Sequence, residues 1–264
     1  MSDTRESERQ HVEPLLDELF QSEFRIHLRV RKDRQSNNEE MRLKAVVLDV
    51  FETLFTIEPL GEKLHAAGLP SDALQLWFAR ILRDAFALEV TGEYKTFREI
   101  AGARLETFMS EEKLEPDRSI IDRVVTAFAD LPAHSDVNHG LQLLQDANVR
   151  IATLSNGSAE TIEKLFRNAK LENFVERYIS IDEVKHWKPS REVYLYAAET
   201  LHVDPAQLAL VAVHDWDIQG ANHAGLITGF VARKGQAFSA VMKKPDVSGG
   251  SLEEVVQKLL ALLE

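Results

Sequence analysis

The chain lacks cysteine altogether. Without cysteine it forms no disulfide, has no thiolate nucleophile and offers no thiolate ligand to a metal. It also lacks an apolar run long enough to cross a bilayer, and its first residues are highly charged, unlike the apolar region of a signal peptide. These absences predict a cytoplasmic protein that has no membrane partner.

Positive charge is the other scarce feature. The sequence has 31 lysine and arginine residues against 43 aspartate and glutamate residues, which gives a formal net charge of -12. Nucleic acids and anionic membranes attract clustered positive charge, so this balance argues against both as partners. The expected partner is a small-molecule substrate, and association into a homodimer stays open.

The distribution of apolar residues along the chain indicates its organisation. Of the 264 residues, 44% are hydrophobic, which is enough for one large domain or for a core with a smaller insert. A helical stretch from about residue 58 to residue 133 follows the first of several short apolar segments, and strands and helices alternate after it. The predicted strands are residues 44–49, 149–154, 178–181, 208–213 and 228–232.

This order of elements predicts the fold class. Short apolar strands separated by helices are typical of a buried parallel sheet, so the expected fold is α/β, with a Rossmann-like core and a helical cap domain inserted after the first strand. The predicted domains are a charged N-terminal extension, a core in two pieces and the cap between them: residues 1–40, 41–57 with 136–264, and 58–135.

Asp49 is the most informative single residue. It follows the apolar run of residues 45–48, and the carboxyl end of a buried parallel strand is where open α/β sheets bind their ligands. Asp49 is therefore a candidate nucleophile, and the alternative is an aspartate that only ends a strand or begins a turn. Two positions later stands Phe51, which is neither an acid nor a metal ligand.

Polar groups also follow three of the later strands. Ser155, Asn156 and Gly157 offer a hydroxyl, an amide and a turn that opens a helix, where backbone N–H groups bind anions; the alternative is an ordinary turn and helix cap. Lys188 precedes a proline that directs the chain into the next helix. Most lysines are solvated, so Lys188 alone indicates little.

The last polar group is His214-Asp215-Trp216-Asp217, after the fourth strand. Carboxylates at this point activate water, pair with a lysine or cap the following helix. Because polar groups follow successive strands at the edge where parallel strands end, their joint occurrence predicts an active site.

The same segments carry a family resemblance. Residues 48–54, residues 154–158, Lys188-Pro189 with Tyr194, and Trp216-Asp217 with Gly220-Ala221 resemble the four motifs of the haloacid dehalogenase superfamily, in order, over about residues 43–240. Within it the chain is most similar to the type II (S)-2-haloacid dehalogenases. These have an aromatic residue, here Phe51, where the phosphatases have a second aspartate.

The resemblance implies a hydrolase that acts on the carbon–halide bond of a small 2-haloacid. Asp49 forms an ester that water then hydrolyses, Thr53 orients Asp49, Lys188 keeps it ionised, and Asp217 positions Lys188 or the water. No cofactor and no metal are implied. The residues that the resemblance assigns to substrate binding are Phe51, Trp77, Phe97, Ser155, Asn156, Tyr194, His214 and Trp216.

Several positions depart from the dehalogenase pattern. Phe78 stands where an arginine receives the halide, Ala212 and His214 replace a serine and an asparagine, and Glu52 replaces a common glycine. Arg80 or Arg83 is a substitute for the missing cation only if the helix turns differently. These changes predict slow turnover of haloacids.

Two other functions stay open. A phosphatase of small phosphate esters would form phospho-Asp49 and hold Mg²⁺ with Asp49, Asp215 and Asp217, although Phe51 cannot protonate its leaving group. A catalytically inactive relative that keeps the scaffold for interaction is the second alternative. Intact Asp49, Lys188 and Asp217 argue against it.

Overall fold

The computed structural model describes residues 43–262, so the predicted extension of residues 1–40 lies outside the described residues. The described chain contains one six-stranded parallel sheet with the strand order β3-β2-β1-β4-β5-β6. The strands are β1 (Ala45–Leu48), β2 (Arg150–Ser155), β3 (Arg177–Ser180), β4 (Leu208–Ala212), β5 (Ile227–Val231) and β6 (Val247–Gly249).

The first strand lies in the middle of the sheet. All four of its residues are buried, and it pairs with β2 on one side and β4 on the other. Leu48 is opposite Thr153 and Val211 in this register, so the carboxyl ends of the three strands meet at one edge. The five predicted strands all correspond to observed ones. The sequence pattern missed β6 because three residues, Val247–Gly249, are too few to show a period.

The stretch predicted as helical, residues 58–133, forms several helices instead of one. Its α-helices are α1 (Glu58–Ala66), α2 (Ala73–Thr91), α3 (Phe97–Glu111) and α4 (Arg118–Thr126), followed by a short 3₁₀ helix, Ala127–Asp130. Gly92 ends α2 at a positive φ of 75°, and Thr96 begins α3 in a capping box with Glu99. Helices inserted after the first strand of a parallel α/β sheet confirm the predicted fold class, while the exact domain boundaries stay a prediction.

The remaining helices pack against the sheet or against each other. They are α5 (Val137–Asp146), α6 (Ala159–Asn168), α7 (Arg191–Thr200), α8 (Asp215–Ala224) and α9 (Leu252–Ala261). Contact between α7 and α8 is close at Gly220, where an added Cβ would lie 2.6 Å from the Tyr194 ring and hydroxyl. This glycine therefore lets Tyr194 approach the first turns of α8. Within residues 43–262 no helix is both long and apolar enough to cross a bilayer.

Candidate active site

Asp49 lies directly beyond β1, and its position is set by both backbone and side chain. Its N–H donates to the Val211 carbonyl at 3.0 Å, which extends the pairing of β1 with β4 by one residue. Thr53 Oγ1 donates to Asp49 Oδ2 at 2.6 Å and accepts from the Val213 N–H at 3.0 Å. The Thr53 hydroxyl is therefore bonded on both sides, to the carboxylate and to the backbone beyond β4.

Lys188 brings two carboxylates together inside the protein. Its Nζ lies 3.2 Å from Asp49 Oδ1 and 2.8 Å from Asp217 Oδ2, and the side chain is completely buried. Tyr194 completes the network by donating its hydroxyl to Asp217 Oδ1 at 2.6 Å. Tyr194 is thus bonded to Asp217 in this network, and its predicted contact with substrate stays a prediction.

The charges of this network determine which groups are ionised. Burial would raise the pKa of Asp49, but the Lys188 ammonium and the hydrogen bonds from His214 and Thr53 hold it well below its usual range. Burial likewise lowers the pKa of Lys188, yet the two carboxylates outweigh it and raise that pKa. Burial and the nearby Asp49 charge raise the pKa of Asp217. Asp49 is therefore a buried carboxylate that stays ionised, as a nucleophile requires.

The turn after β2 forms as the sequence predicted, and the Ser155 hydroxyl in it accepts a backbone hydrogen bond. Ser155 Oγ accepts from the Gly157 N–H at 3.0 Å, and Ser180 donates to the Gly157 carbonyl at 2.8 Å. Ser158 is the N-cap of α6. Asn156 is 8% exposed, and its Oδ1 is buried with no hydrogen-bond partner among the described residues. This oxygen is thus an acceptor that a ligand's donor can still reach.

Aromatic rings line the cleft beside this turn. Phe51 packs at 4.9 Å between ring centroids against Phe128 and at 5.4 Å against Phe97, so residues of the core and of the insertion meet here. A Cβ at Gly157 would lie 2.9 Å from the Phe51 ring, which explains the glycine. A cleft of about 400 Å³ opens against Phe51, Phe97, Phe128 and Gly157, and Asp49 is not among its lining residues.

The two tryptophans predicted to face the substrate lie in different environments. Trp77 is completely buried, and its indole N–H donates to the Ala101 carbonyl at 3.1 Å, which ties α2 to α3. Its predicted contact with substrate stays a prediction. Trp216 stacks on the His214 ring at 4.8 Å and meets Phe86 of α2 at 5.5 Å. Only Trp216 is thereby placed next to a residue that contacts Asp49.

Sequence reasoning missed the part that His214 and Glu52 play beside Asp49. His214 Nδ1 lies 3.3 Å from Asp49 Oδ2, and its Nε2 lies 3.0 Å from Glu52 Oε2. Burial lowers the pKa of His214, but its hydrogen bonds to the two carboxylates and their charges raise it to about 10. The available signal was the joint replacement of two family positions by a histidine and a glutamate, an acid–base pair.

A positively charged group, His214, lies near Phe78, the position at which the resemblance implied an arginine. Arg80 pairs with Glu111 at 2.5 Å, and Arg83 pairs with the neighbouring Asp84 at 3.1 Å, so both are engaged within the helical insertion. Phe78, in contrast, stacks on the His214 ring with 6.3 Å between centroids. A positive imidazole therefore lies beside the position of the absent arginine.

The alternative magnesium site does not fit the arrangement of carboxylates. Lys188 Nζ lies between Asp49 and Asp217, and Asp215 Oδ1 accepts from the Trp216 N–H at 2.8 Å. Across the described part of the chain, no three histidine, aspartate or glutamate side chains form a group suited to a metal. The three carboxylates proposed for Mg²⁺ are thus not arranged as its ligands.

Comparisons with known proteins identify a family and several relatives of this chain. The family model of haloacid dehalogenase-like hydrolases matches residues 43–225. (S)-2-haloacid dehalogenase 1 of Pseudomonas sp. (strain CBS-3) is 30% identical over 227 residues, which cover 84% of this chain and 99% of that protein. (S)-2-haloacid dehalogenase 4A of Burkholderia cepacia is 28% identical over 73% of this chain and 84% of that protein.

The fold also matches that of a solved structure. L-2-haloacid dehalogenase from Xanthobacter autotrophicus, with chloropropionic acid covalently bound, has a TM-score of 0.77 at 23% identity. The match covers 83% of this chain and 99% of that one. At this identity the likeness shows the fold.

Proposed function

The chain belongs to the haloacid dehalogenase-like hydrolases, and we propose that it hydrolyses small (S)-2-haloacids through a covalent ester on Asp49. The observation that carries this proposal is the Asp49 carboxylate itself. It is buried, it stays ionised, and it is held by Thr53 on one oxygen and Lys188 on the other. A carboxylate fixed in this way needs little reorganisation to attack carbon.

The first step is a direct displacement at C2 of the substrate. A carboxylate oxygen of Asp49 bonds to C2, the carbon–halogen bond breaks, and the halide leaves with the electron pair. Attack comes from the side opposite the halide, so the configuration at C2 inverts. The product of this step is an ester whose carbonyl belongs to Asp49.

The second step is hydrolysis of that ester. Water attacks Cγ of Asp49, and the carbonyl oxygen gathers negative charge as the tetrahedral intermediate forms. Lys188, whose Nζ is 3.2 Å from Asp49 Oδ1 in the free site, stabilises this charge. Asp217 and Tyr194 keep the ammonium in place. Collapse of the intermediate releases the 2-hydroxy acid and restores Asp49.

The turn after β2 is the proposed site for the substrate carboxylate. Backbone N–H groups at the start of α6 carry partial positive charge, and the Ser155 hydroxyl lies at the same edge of the sheet as Asp49. The departing halide is assigned to the Nδ2 donor of Asn156, since an anion is bound by N–H groups and not by the amide oxygen. Phe51 and Phe97 supply apolar surface for the substrate's carbon chain.

This reaction uses no cofactor. A carboxylate nucleophile and a monovalent halide need less charge neutralisation than phosphoryl transfer, where metal ions bridge the phosphate oxygens. The phosphatase alternative needs an acid for its leaving oxygen, and Phe51 has none to offer. The cytoplasmic location and the homodimer stay predictions from the sequence.

A substrate panel tests the proposal. The purified protein is given (S)- and (R)-2-chloropropionate, chloroacetate and a small phosphate ester, each with excess EDTA and again with Mg²⁺. We expect halide release from the (S) enantiomer in EDTA, with (R)-lactate as the product because C2 inverts. Release of phosphate that requires Mg²⁺, without halide from any haloacid, would establish the phosphatase instead.

A further inference from the structure

His214 and Glu52 lie against the nucleophile, and the two steps described above use neither of them. We propose that His214, oriented by Glu52, is the general base that takes a proton from the water attacking the Asp49 ester. This inference rests on the proposed function. It assigns a catalytic role to a histidine that the family resemblance gave only a place at the substrate, and a positioning role to Glu52.

The geometry is that of a base held by a carboxylate. The imidazole bridges the two acids, with Nε2 at 3.0 Å from Glu52 Oε2 and Nδ1 at 3.3 Å from Asp49 Oδ2. The bond to Glu52 fixes the ring and leaves Nδ1 directed at the reacting carboxyl group. A histidine oriented by an acid on one nitrogen and facing the reaction on the other is a recurrent arrangement in hydrolases.

The Glu52 carboxylate is itself held in place by its backbone. Glu52 has a positive φ of 65°, an uncommon conformation for a residue with a side chain. Its N–H donates to the Phe55 carbonyl at 2.8 Å, and its own carbonyl contacts His134 Nε2 at 3.0 Å. These bonds stabilise a turn that directs the Glu52 side chain back toward His214.

The described residues around His214 are two carboxylates, a lysine beyond one of them, and two aromatic rings. Asp49 and Glu52 are the titratable groups bonded to its ring nitrogens, and Lys188 is bonded to the other oxygen of Asp49. Its faces are covered by the rings of Trp216 and Phe78. Asp215, next in the chain, accepts from the Trp216 N–H.

The proton balance closes around this histidine. In the resting site His214 is an imidazolium, because two carboxylates raise its pKa to about 10. Alkylation turns Asp49 into a neutral ester, so the pKa of His214 falls and the Nδ1 proton leaves to solvent. Nδ1, which lies 3.3 Å from Asp49 Oδ2 in the resting site, then has a free lone pair at the ester group.

Hydrolysis uses that lone pair. The water oxygen bonds to Cγ of Asp49, one water proton moves to Nδ1, and the carbonyl electrons move onto the oxygen facing Lys188. When the intermediate collapses, the bond to the 2-hydroxy acid oxygen breaks and Nδ1 returns the proton to that oxygen. The Asp49 acid then passes its remaining proton to Nδ1, which restores the resting ion pair. The sum is haloacid plus water to hydroxy acid, halide and one proton.

Two single substitutions test the role. His214→Gln keeps an amide near Asp49 but cannot take a proton, and Glu52→Gln keeps the shape of the orienting side chain without its charge. His139→Gln is the matched control, because His139 forms an exposed pair with Glu253 on α5 and α9. Halide release in the first turnover and the mass of the intact acid-quenched protein are measured for each variant with (S)-2-chloropropionate.

The expected result separates the two half-reactions. In His214→Gln, ester hydrolysis falls by roughly 10²–10⁴-fold more than first-turnover halide release does, and this difference is the usual worth of a general base. The ester mass then accumulates to about one per protein. Glu52→Gln shows a smaller fall of the same step, and His139→Gln behaves as wild type. In wild type, ester hydrolysis accelerates with pH as the imidazole of the ester form loses its proton, and this dependence is absent in His214→Gln.

Three outcomes would overturn the assignment. Ester hydrolysis at the wild-type rate in His214→Gln removes the general base. Equal slowing of both half-reactions without accumulated ester shows that His214 only positions Asp49. Absence of both halide and ester mass in wild type, with every haloacid, overturns the proposed function and this inference with it.

Discussion

At the residue scale, the acids of the candidate active site outnumber its basic groups. Asp49, Asp217 and Glu52 are three buried or half-buried acids, and they share the ammonium of Lys188 and the imidazolium of His214. Asp49 contacts both cations, so its pKa is held low, whereas the pKa of Asp217 is raised by burial. Of the two carboxylates that share Lys188, Asp49 is therefore the one with the lower pKa.

Replacing Asp49 tests this arrangement at the level of one residue. Asp49→Asn keeps the size of the side chain but removes the charge and the nucleophile, so we expect halide release to fall by at least ~10³-fold and no ester to form. Thermal unfolding monitored by circular dichroism shows whether the fold persists. Activity within tenfold of wild type would exclude covalent catalysis by Asp49.

Phe78 stands where the resemblance implied an arginine, and its ring packs against His214. The sequence predicted slow turnover because Phe78 cannot supply the cation of an arginine at the halide. His214 now lies against Phe78 with a pKa raised to about 10, so positive charge is present from another direction. Slow turnover of haloacids stays a prediction. Its cause would be that the His214 imidazolium lies at a different place from the arginine that it replaces.

At the scale of elements, α7 and α8 hold the network together. Tyr194 on α7 donates to Asp217 on α8, and the two helices approach closely because Gly220 has no side chain. A Cβ there would lie 2.6 Å from Tyr194 and 2.7 Å from Pro189. Gly220 therefore leaves room for Tyr194 and Pro189. Because Lys188 directly precedes Pro189, its position also depends on this glycine.

Gly220→Ala is the corresponding prediction. The added methyl group has to displace Tyr194 or Pro189, so we expect a loss of about 1–3 kcal/mol in the free energy of unfolding together with lower activity. Gly102→Ala in α3 is the control, since its Cβ would lie at an ordinary 3.7 Å from Ile121. Urea denaturation of both variants measures the effect. Equal stability of Gly220→Ala and wild type would contradict the close approach.

At the scale of the whole molecule, the helical insertion is bonded to the segment that leads to Lys188. Glu89 at the end of α2 accepts from the Trp187 N–H at 2.7 Å and contacts His186 Nδ1 at 2.9 Å. The Trp187 indole donates to the Lys95 carbonyl at 2.9 Å, and Tyr94 donates to Asp182. The insertion and the core therefore share one set of bonds on the side of the site.

The dependence of stability on pH is a whole-molecule property that reports on His214. Its pKa is about 10 in the folded protein and 6.5 without the fold, so its contribution is fully present below pH 6.5 and is lost as the pH rises to about 10. Across this window the free energy of unfolding should decline, relative to His214→Gln, by up to about 1.4 kcal/mol per pH unit. Urea denaturation at several pH values measures it, and parallel curves for the two proteins would contradict a charged His214.

The sheet, the helical insertion and the positions of Asp49, Ser155, Lys188 and Asp217 after predicted strands could all be predicted from the sequence. Apolar periodicity and turn residues are local properties, and parallel strands end at one edge, so these predictions needed no distances. The short β6 and the division of the helical stretch were not predicted, because few residues and individual helix caps give weak signals.

The contacts between side chains, in contrast, depend on how the elements pack and could not be predicted from the sequence. Glu52 and His214 are 162 positions apart, and their contact depends on a left-handed backbone at Glu52 and on β4 lying beside β1. Trp77 stands in a motif that predicts substrate contact, yet its indole bonds inside the insertion. Spacing along the chain specifies where a residue stands on its element, whereas the partners of its polar atoms depend on how the elements pack.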